Sequence, residues 1–164
     1  MVKSILRYSC VALLGIFAAV SASAGNVSEK PGKTPTPKIT SVSKITTAQH
    51  QTITIKGTGF GTFAGCPSSS GCDSPFIWLR ELHSGCPHGG VCWEAGYSPD
   101  DDTVKIIIKS WTNTEIVLGG FGKAWGEDGW TLHKGYKEQI RVWNWQSNPL
   151  SPSTPSAYFT VTIQ

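Results

Sequence analysis

The sequence predicts an all-β protein: an immunoglobulin-like sandwich of two antiparallel sheets, about seven to eight strands in all, with disulfide-pinned loop insertions. Three observations carry that expectation. From Ile39 onward, short β-branched runs alternate with turn-forming clusters. No segment shows the periodicity of an amphipathic helix. Four cysteines fall within two long, Gly-rich connections.

The first residues read as an export signal. Lys3 and Arg7 give a positive start, Cys10–Val20 is an apolar stretch too short to span a bilayer, and Ala22-Ser23-Ala24 is a small-residue cleavage pattern. Residues 1–24 are therefore expected to be a signal peptide, cleaved after Ala24, and no later segment is apolar enough to cross a membrane. Residues 25–37 are rich in Pro, Thr, Gly and Lys and read as a flexible or extended stalk. Residues 38–164 form the expected domain, long enough for one core. Two of the 14 basic residues and none of the 11 acidic ones lie in the signal, so the mature charge is +1. A near-neutral exported chain has no electrostatic case for nucleic acid.

The expected strands are Ile39–Ile45, Gln51–Lys56, Phe76–Leu82, Thr103–Lys109, Glu115–Leu118, Glu138–Trp145 and Ala157–Ile163. Alternation assigns a side to each residue. Ile53 and Ile55 face inward, as do Val104, Ile106 and Ile108, and Phe159, Val161 and Ile163. Tyr158, Thr160 and Thr162 face outward. Between the strands, Gly61–Pro75, Ser84–Asp102 and Gly119–Tyr136 are long connections, a length that usually signals function or disorder.

After cleavage four cysteines remain: Cys66, Cys72, Cys86 and Cys92. An even count in an exported chain reads as two disulfides with three possible connectivities. Both CPSSSGC and CPHGGVC share one spacing, which favours the local pairs Cys66–Cys72 and Cys86–Cys92. Closing so short a loop contributes on the order of 2 kcal/mol in the chain-entropy model, so these bridges pin loops more than they hold the fold.

The segment Pro37-Lys38-Ile39-Thr40-Ser41-Val42, followed by Ile53-Thr54-Ile55-Lys56-Gly57-Thr58-Gly59-Phe60-Gly61, resembles the opening of IPT/TIG domains. Ser110–Val117 is similar to that family's central Trp-bearing segment, Ile140–Asn144 to a later strand, and Tyr158-Phe159 to its closing strand. The resemblance implies an immunoglobulin-like fold and a binding or spacer role. It implies structural work for Gly57, Gly59 and Gly61, which supply positive φ and close backbone approach, and a core position for Phe60. It implies no catalytic residue.

All seven tryptophans lie in the domain. In Glu138–Trp145, Ile140 and Val142 share the inward face, which leaves Arg141, Trp143 and Trp145 on the outer one. With Tyr158 from the last strand they would make a platform for sugar rings or for a protein partner. The alternative is that the long loops fold back and bury these rings as a second small core. Trp93, Trp125 and Trp130 sit on Gly-rich loops and either line a groove or anchor those loops. Trp78 and Trp111 read as core or half-buried packing.

Other candidates are weaker. His83, Cys86, His88 and Cys92 mix zinc-ligand types, but the compartment favours a disulfide. Asp100-Asp101-Asp102 lacks the spaced pattern of a calcium loop. Ser41-Val42-Ser43-Lys44 satisfies S-x-x-K by letter on an expected strand, without its partner motifs. A glycosidase needs two carboxylates held at a fixed separation; Glu81, Glu94, Asp128 and Glu138 are present, and nothing in the sequence pairs them. The expected function is thus a secreted, periplasmic or surface-exposed binding module, noncatalytic, without cofactor or metal. Its expected partner is a carbohydrate or protein at the cell surface. The alternatives are a structural spacer without a ligand pocket and, less favoured, a hydrolase.

Overall fold

The computed structural model describes residues 35–63, 65, 66, 68–72, 74, 76–97, 103–146 and 154–164. The expected signal peptide, most of the stalk and Asp100–Asp102 lie outside the described residues. Eight strands follow one another: β1 (Lys38–Val42), β2 (Ile53–Thr58), β3 (Ile77–Leu82), β4 (Val91–Gly96), β5 (Ile106–Trp111), β6 (Glu115–Phe121), β7 (Lys137–Val142) and β8 (Phe159–Thr162). They pair into two four-stranded antiparallel sheets, ordered β1-β2-β6-β5 and β4-β3-β7-β8. That order is the A-B-E-D and C′-C-F-G arrangement of an immunoglobulin-like sandwich.

The core follows from alternation. Ile53 and Ile55 of β2, Ile116 and Leu118 of β6, and Ile106 and Ile108 of β5 meet Ile77 and Leu79 of β3 and Ile140 and Val142 of β7, all fully buried. β-Branched side chains suit such a pleated, two-sheet interior. At the β8 edge the inward set is less enclosed. Ile163 is buried, whereas Phe159 and Val161 are only partly so.

Three strand expectations are corrected. The first strand stops at Val42, because the Gln51 amide closes residues 46–51 into a turn of its own, accepting from the Thr46 N–H at 2.8 Å and donating to the Thr46 and Ala48 carbonyls. The expected long connection Ser84–Asp102 contains β4, whose Trp93 and Ala95 point inward against half-buried Glu94. β3 and β4 are then a hairpin closed by Cys86–Cys92 around a helical turn, Pro87–Gly90. Finally, β7 ends at Val142, three residues short of Trp145.

The connection Gly61–Pro75 also has a structural task. Phe63, Cys66 and Cys72 form isolated bridges to Trp111, Ile108 and Ile106 along the free edge of β5. The Cys66–Cys72 disulfide thus holds a broken strand over an edge that would otherwise be open to pairing with other chains.

In the Gly57–Gly61 segment two of the three glycines expected at positive φ have it, and Gly57 does not. Gly59 and Gly61 have φ of 75° and 73°, and Phe60 is fully buried. A side chain at Gly57 would collide with the Lys38 carbonyl and the Phe60 ring. Pro35 and Thr36, at the end of the expected stalk, lie beside Gly59, and Pro37 is buried. Gly57→Ala is expected to cost about 2 kcal/mol or more, since both obstacles are packed and one is backbone. Urea unfolding of this variant against an exposed control such as Thr40→Ala measures it.

Candidate functional site

The register of β3 against β7 places two opposite kinds of chemistry back to back. Trp78 lies opposite Arg141, Leu79 opposite Ile140, Arg80 opposite Gln139, and Glu81 opposite Glu138. Leu79, Ile140 and both glutamates therefore face the core, while Trp78, Arg80, Gln139 and Arg141 face outward.

On the outer face the guanidiniums gather around one ring. The Arg141 Cζ is 3.8 Å from the Tyr158 centroid and the Arg80 Cζ 4.4 Å from it; Arg80 is also 5.0 Å from the Trp78 centroid. Trp78 and Tyr158 are 6.2 Å apart, and Tyr97 meets the Trp78 edge at 6.1 Å. Arg80 is fixed further because its Nε and Nη2 both donate to Gln139 Oε1, at 3.0 and 2.8 Å. Cations held over aromatic faces this closely are attracted by the ring quadrupole. Arg141 has no such acceptor, and its Nε is buried without a hydrogen-bond partner among the described residues.

The residues singled out in the sequence divide. Arg141 and Tyr158 meet on this face. Trp143 is buried, its ring 5.4 Å from Tyr97. Trp145 leaves the face altogether, because alternation ends with β7. It stacks on Phe63 at 3.7 Å and contacts Phe76 and Trp111, beside the buried Asn144 that donates to the Gly59 carbonyl. Trp93 is enclosed between Phe121 and Trp125, and Trp125 stacks on Phe121 at 4.7 Å. Trp130 is partly buried in the turn after β6. Of these five rings, Trp93 and Trp143 are buried, and Trp125, Trp130 and Trp145 are partly buried against the core. Sequence reasoning passed over Arg80 and Gln139. Their signal was available, since they share the outward parity of Trp78 and Arg141.

Behind the face lies a carboxyl pair that the sequence did not show. Glu81 and Glu138 sit opposite one another, both fully buried. Glu81 is satisfied by His133, through the backbone N–H and through Nδ1 at 2.9 Å. Glu138 has no hydrogen-bond partner among the described residues. Burial, and secondarily the neighbouring Glu81, pushes its carboxyl well above the ordinary value of 4.5. Neither carboxyl is exposed to solvent.

An open depression of about 470 Å³ lies at the same end, lined by His83, Gly89, Gly90, Tyr136 and Lys137. The His83 and Tyr136 rings stack there at 4.0 Å, and His133 stacks on Tyr136 from 5.1 Å. The cysteines pair locally, Cys66 with Cys72 and Cys86 with Cys92, so those thiols are not ligands. Among the described residues no three His, Cys, Asp or Glu side chains are grouped to hold a metal, and no helix is long and apolar enough to cross a membrane. No protein-family model, curated protein or solved structure matches this chain.

The buried acid sets a pH dependence of stability. With a raised folded-state pKa, Glu138 keeps its proton when the chain is folded and releases it more readily when unfolded. Its favourable contribution is complete below the ordinary carboxyl value and is lost as pH rises toward the folded-state value. Wild type should therefore lose stability as pH rises from the ordinary carboxyl value of 4.5, and Glu138→Gln should flatten that slope and be the more stable of the two in mildly alkaline buffer. Denaturant midpoints across this range give the answer.

Proposed function

We propose that this chain is an exported, noncatalytic binding module that holds a carbohydrate or protein ligand on the outer face of the β4-β3-β7-β8 sheet. The observation that carries the reading is the Arg80–Tyr158–Arg141 arrangement beside Trp78, in which aromatic surface and charged donors share one rigid sheet face. Side chains on paired strands lose little further freedom on binding, so stacking and hydrogen bonding are realised with small ordering cost. Trp, Tyr and Arg are also the residues that dominate interface hot spots. Export is supported by the signal-like first 24 residues and by two disulfides, which persist in oxidising compartments. The resemblance of Pro37–Gly61 to IPT/TIG domains supports a modular role, and neither stacking nor guanidinium recognition needs a cofactor.

A second reading, a structural spacer on a Pro-rich stalk, is favoured by one observation. Trp143 and Trp145, the rings best placed by sequence for a platform, are packed among Tyr97, Phe63, Phe76 and Trp111 instead. The two readings part on Tyr158. A binding module loses retention on a ligand-bearing matrix, roughly tenfold or more, when Tyr158→Ala removes the ring beneath both arginines. Affinity electrophoresis through gels containing a panel of polysaccharides tests this, with His83→Ala at the far end as the control. A spacer migrates identically in every gel, whichever variant is run.

A further inference from the structure

We propose that the ligand of this face is an acidic polysaccharide, whose uronic-acid carboxylates meet Arg141 and Arg80, held over Tyr158, while its sugar rings lie against Trp78. The inference rests on the face being the binding surface and adds the charge and class of what it binds.

Three features of the face call for an anion. First, the donors of Arg141 are unspent. A guanidinium has five N–H groups and no acceptor, yet the Arg141 Nε is buried without a partner, and no carboxylate among the described residues pairs with Arg141 or Arg80. The buried Nε itself is closed to a ligand; an oxyanion pairs instead with the terminal donors of the two guanidiniums, through short, charge-assisted bonds. Second, the two cations are crowded. Both lie within 4.4 Å of one ring centroid, so their Cζ atoms are no more than about 8 Å apart, within one Debye length at physiological salt. Their repulsion favours an anion between or beside them. Third, Gln139 occupies one edge of Arg80 with a neutral acceptor, which holds the cation in place without neutralising it.

A sugar acid fits better than an acidic peptide. A uronate carries its carboxylate directly on the pyranose ring, so the charge and an apolar C–H face arrive together. The protein presents the matching pair, with Arg80 5.0 Å from the Trp78 centroid and Trp78 6.2 Å from Tyr158. An aspartate or glutamate brings its charge on a flexible stem with no such plate. Glu94 lies opposite Arg80 on β4, engaged in an interaction of its own, and reduces the summed charge of the face. Glu94→Gln should therefore tighten binding of an acidic chain.

The test follows tryptophan fluorescence of the protein, with Trp78 as a reporter in the site, titrated with polygalacturonate, its methyl ester and polyglutamate at two salt concentrations. The proposal expects saturable binding of polygalacturonate that weakens with salt, and at least roughly tenfold weaker binding of the other two. Arg141→Gln should lose about tenfold or more, Arg141→Lys should recover only part of it for want of the planar fork, and Lys56→Gln on the opposite sheet should change nothing. If near-UV circular dichroism shows Arg141→Gln misfolded, Arg80→Gln takes its place, with the same loss expected. Equal binding of the methyl ester overturns the charge requirement while leaving a sugar platform in place, provided Tyr158→Ala abolishes it. Equal binding of polyglutamate overturns the glycan in favour of an acidic protein. No binding to any of the three overturns the proposal, and a silent wider polysaccharide panel then overturns the binding module with it.

Discussion

Side chains alternate along a strand, so once Ile77, Leu79, Ile140 and Val142 face the core their neighbours have no choice of side. The antiparallel register between β3 and β7 converts that rule into one outer face. Trp78 and Arg80 emerge directly across from Arg141 and Gln139, and β8, paired to β7, is preceded by Tyr158, whose ring reaches both arginines. A slip of one residue would turn every one of these groups into the interior and expose four aliphatic side chains. The hydrophobic demand of the core thus holds the polar face together.

The same rule has a cost one step further along. At Glu81 and Glu138 the inward parity falls on two carboxyls instead of two aliphatics. Glu81 is accommodated because the connection into β7 carries His133 over the open end of the sandwich and satisfies it. Glu138 is accommodated by keeping its proton. A neutral acid can donate one hydrogen bond, and two buried carboxyls side by side are tolerable only when they share fewer than two negative charges. The outer face shows the converse situation. There two positive charges are brought close, and aromatic faces, with Glu94 across from Arg80 on β4, offset part of the crowding.

Much of the fold was legible because it depends on local pattern. The aliphatic alternation of Gln51–Lys56 and Thr103–Lys109 placed Ile53, Ile55, Ile106 and Ile108 correctly, and the repeated Cys-Pro spacing indicated the local disulfides. β4 was hidden because Val91–Gly96 mixes cysteine, a lone tryptophan and flanking glycines, so composition spoke for a loop while Trp93 and Ala95 kept strand parity. The site was less legible for two physical reasons. Alternation was extended past Val142, where pairing ends and the chain turns to send Trp145 toward Phe63 and Phe76. And which strands adjoin is a long-range property. Glu81 and Glu138, or Arg80 and Gln139, lie far apart in sequence, and only the register brings them together. The juxtaposition of Arg141 and Tyr158 was legible because the strand pair that carries them is sequential.

The most direct measurement is a ¹H–¹⁵N correlation spectrum that resolves the arginine Nε–Hε signals, titrated with an oligogalacturonate. An occupied outer face predicts saturable shifts of the Arg141 and Arg80 Nε–Hε signals and of the Trp78 indole, with one common dissociation constant. The Trp93 and Trp111 indoles, enclosed on the core side, should stay still. Shifts confined to His83, Tyr136 and Lys137 would move binding to the depression at the end of the sandwich and contradict the assignment of the outer face.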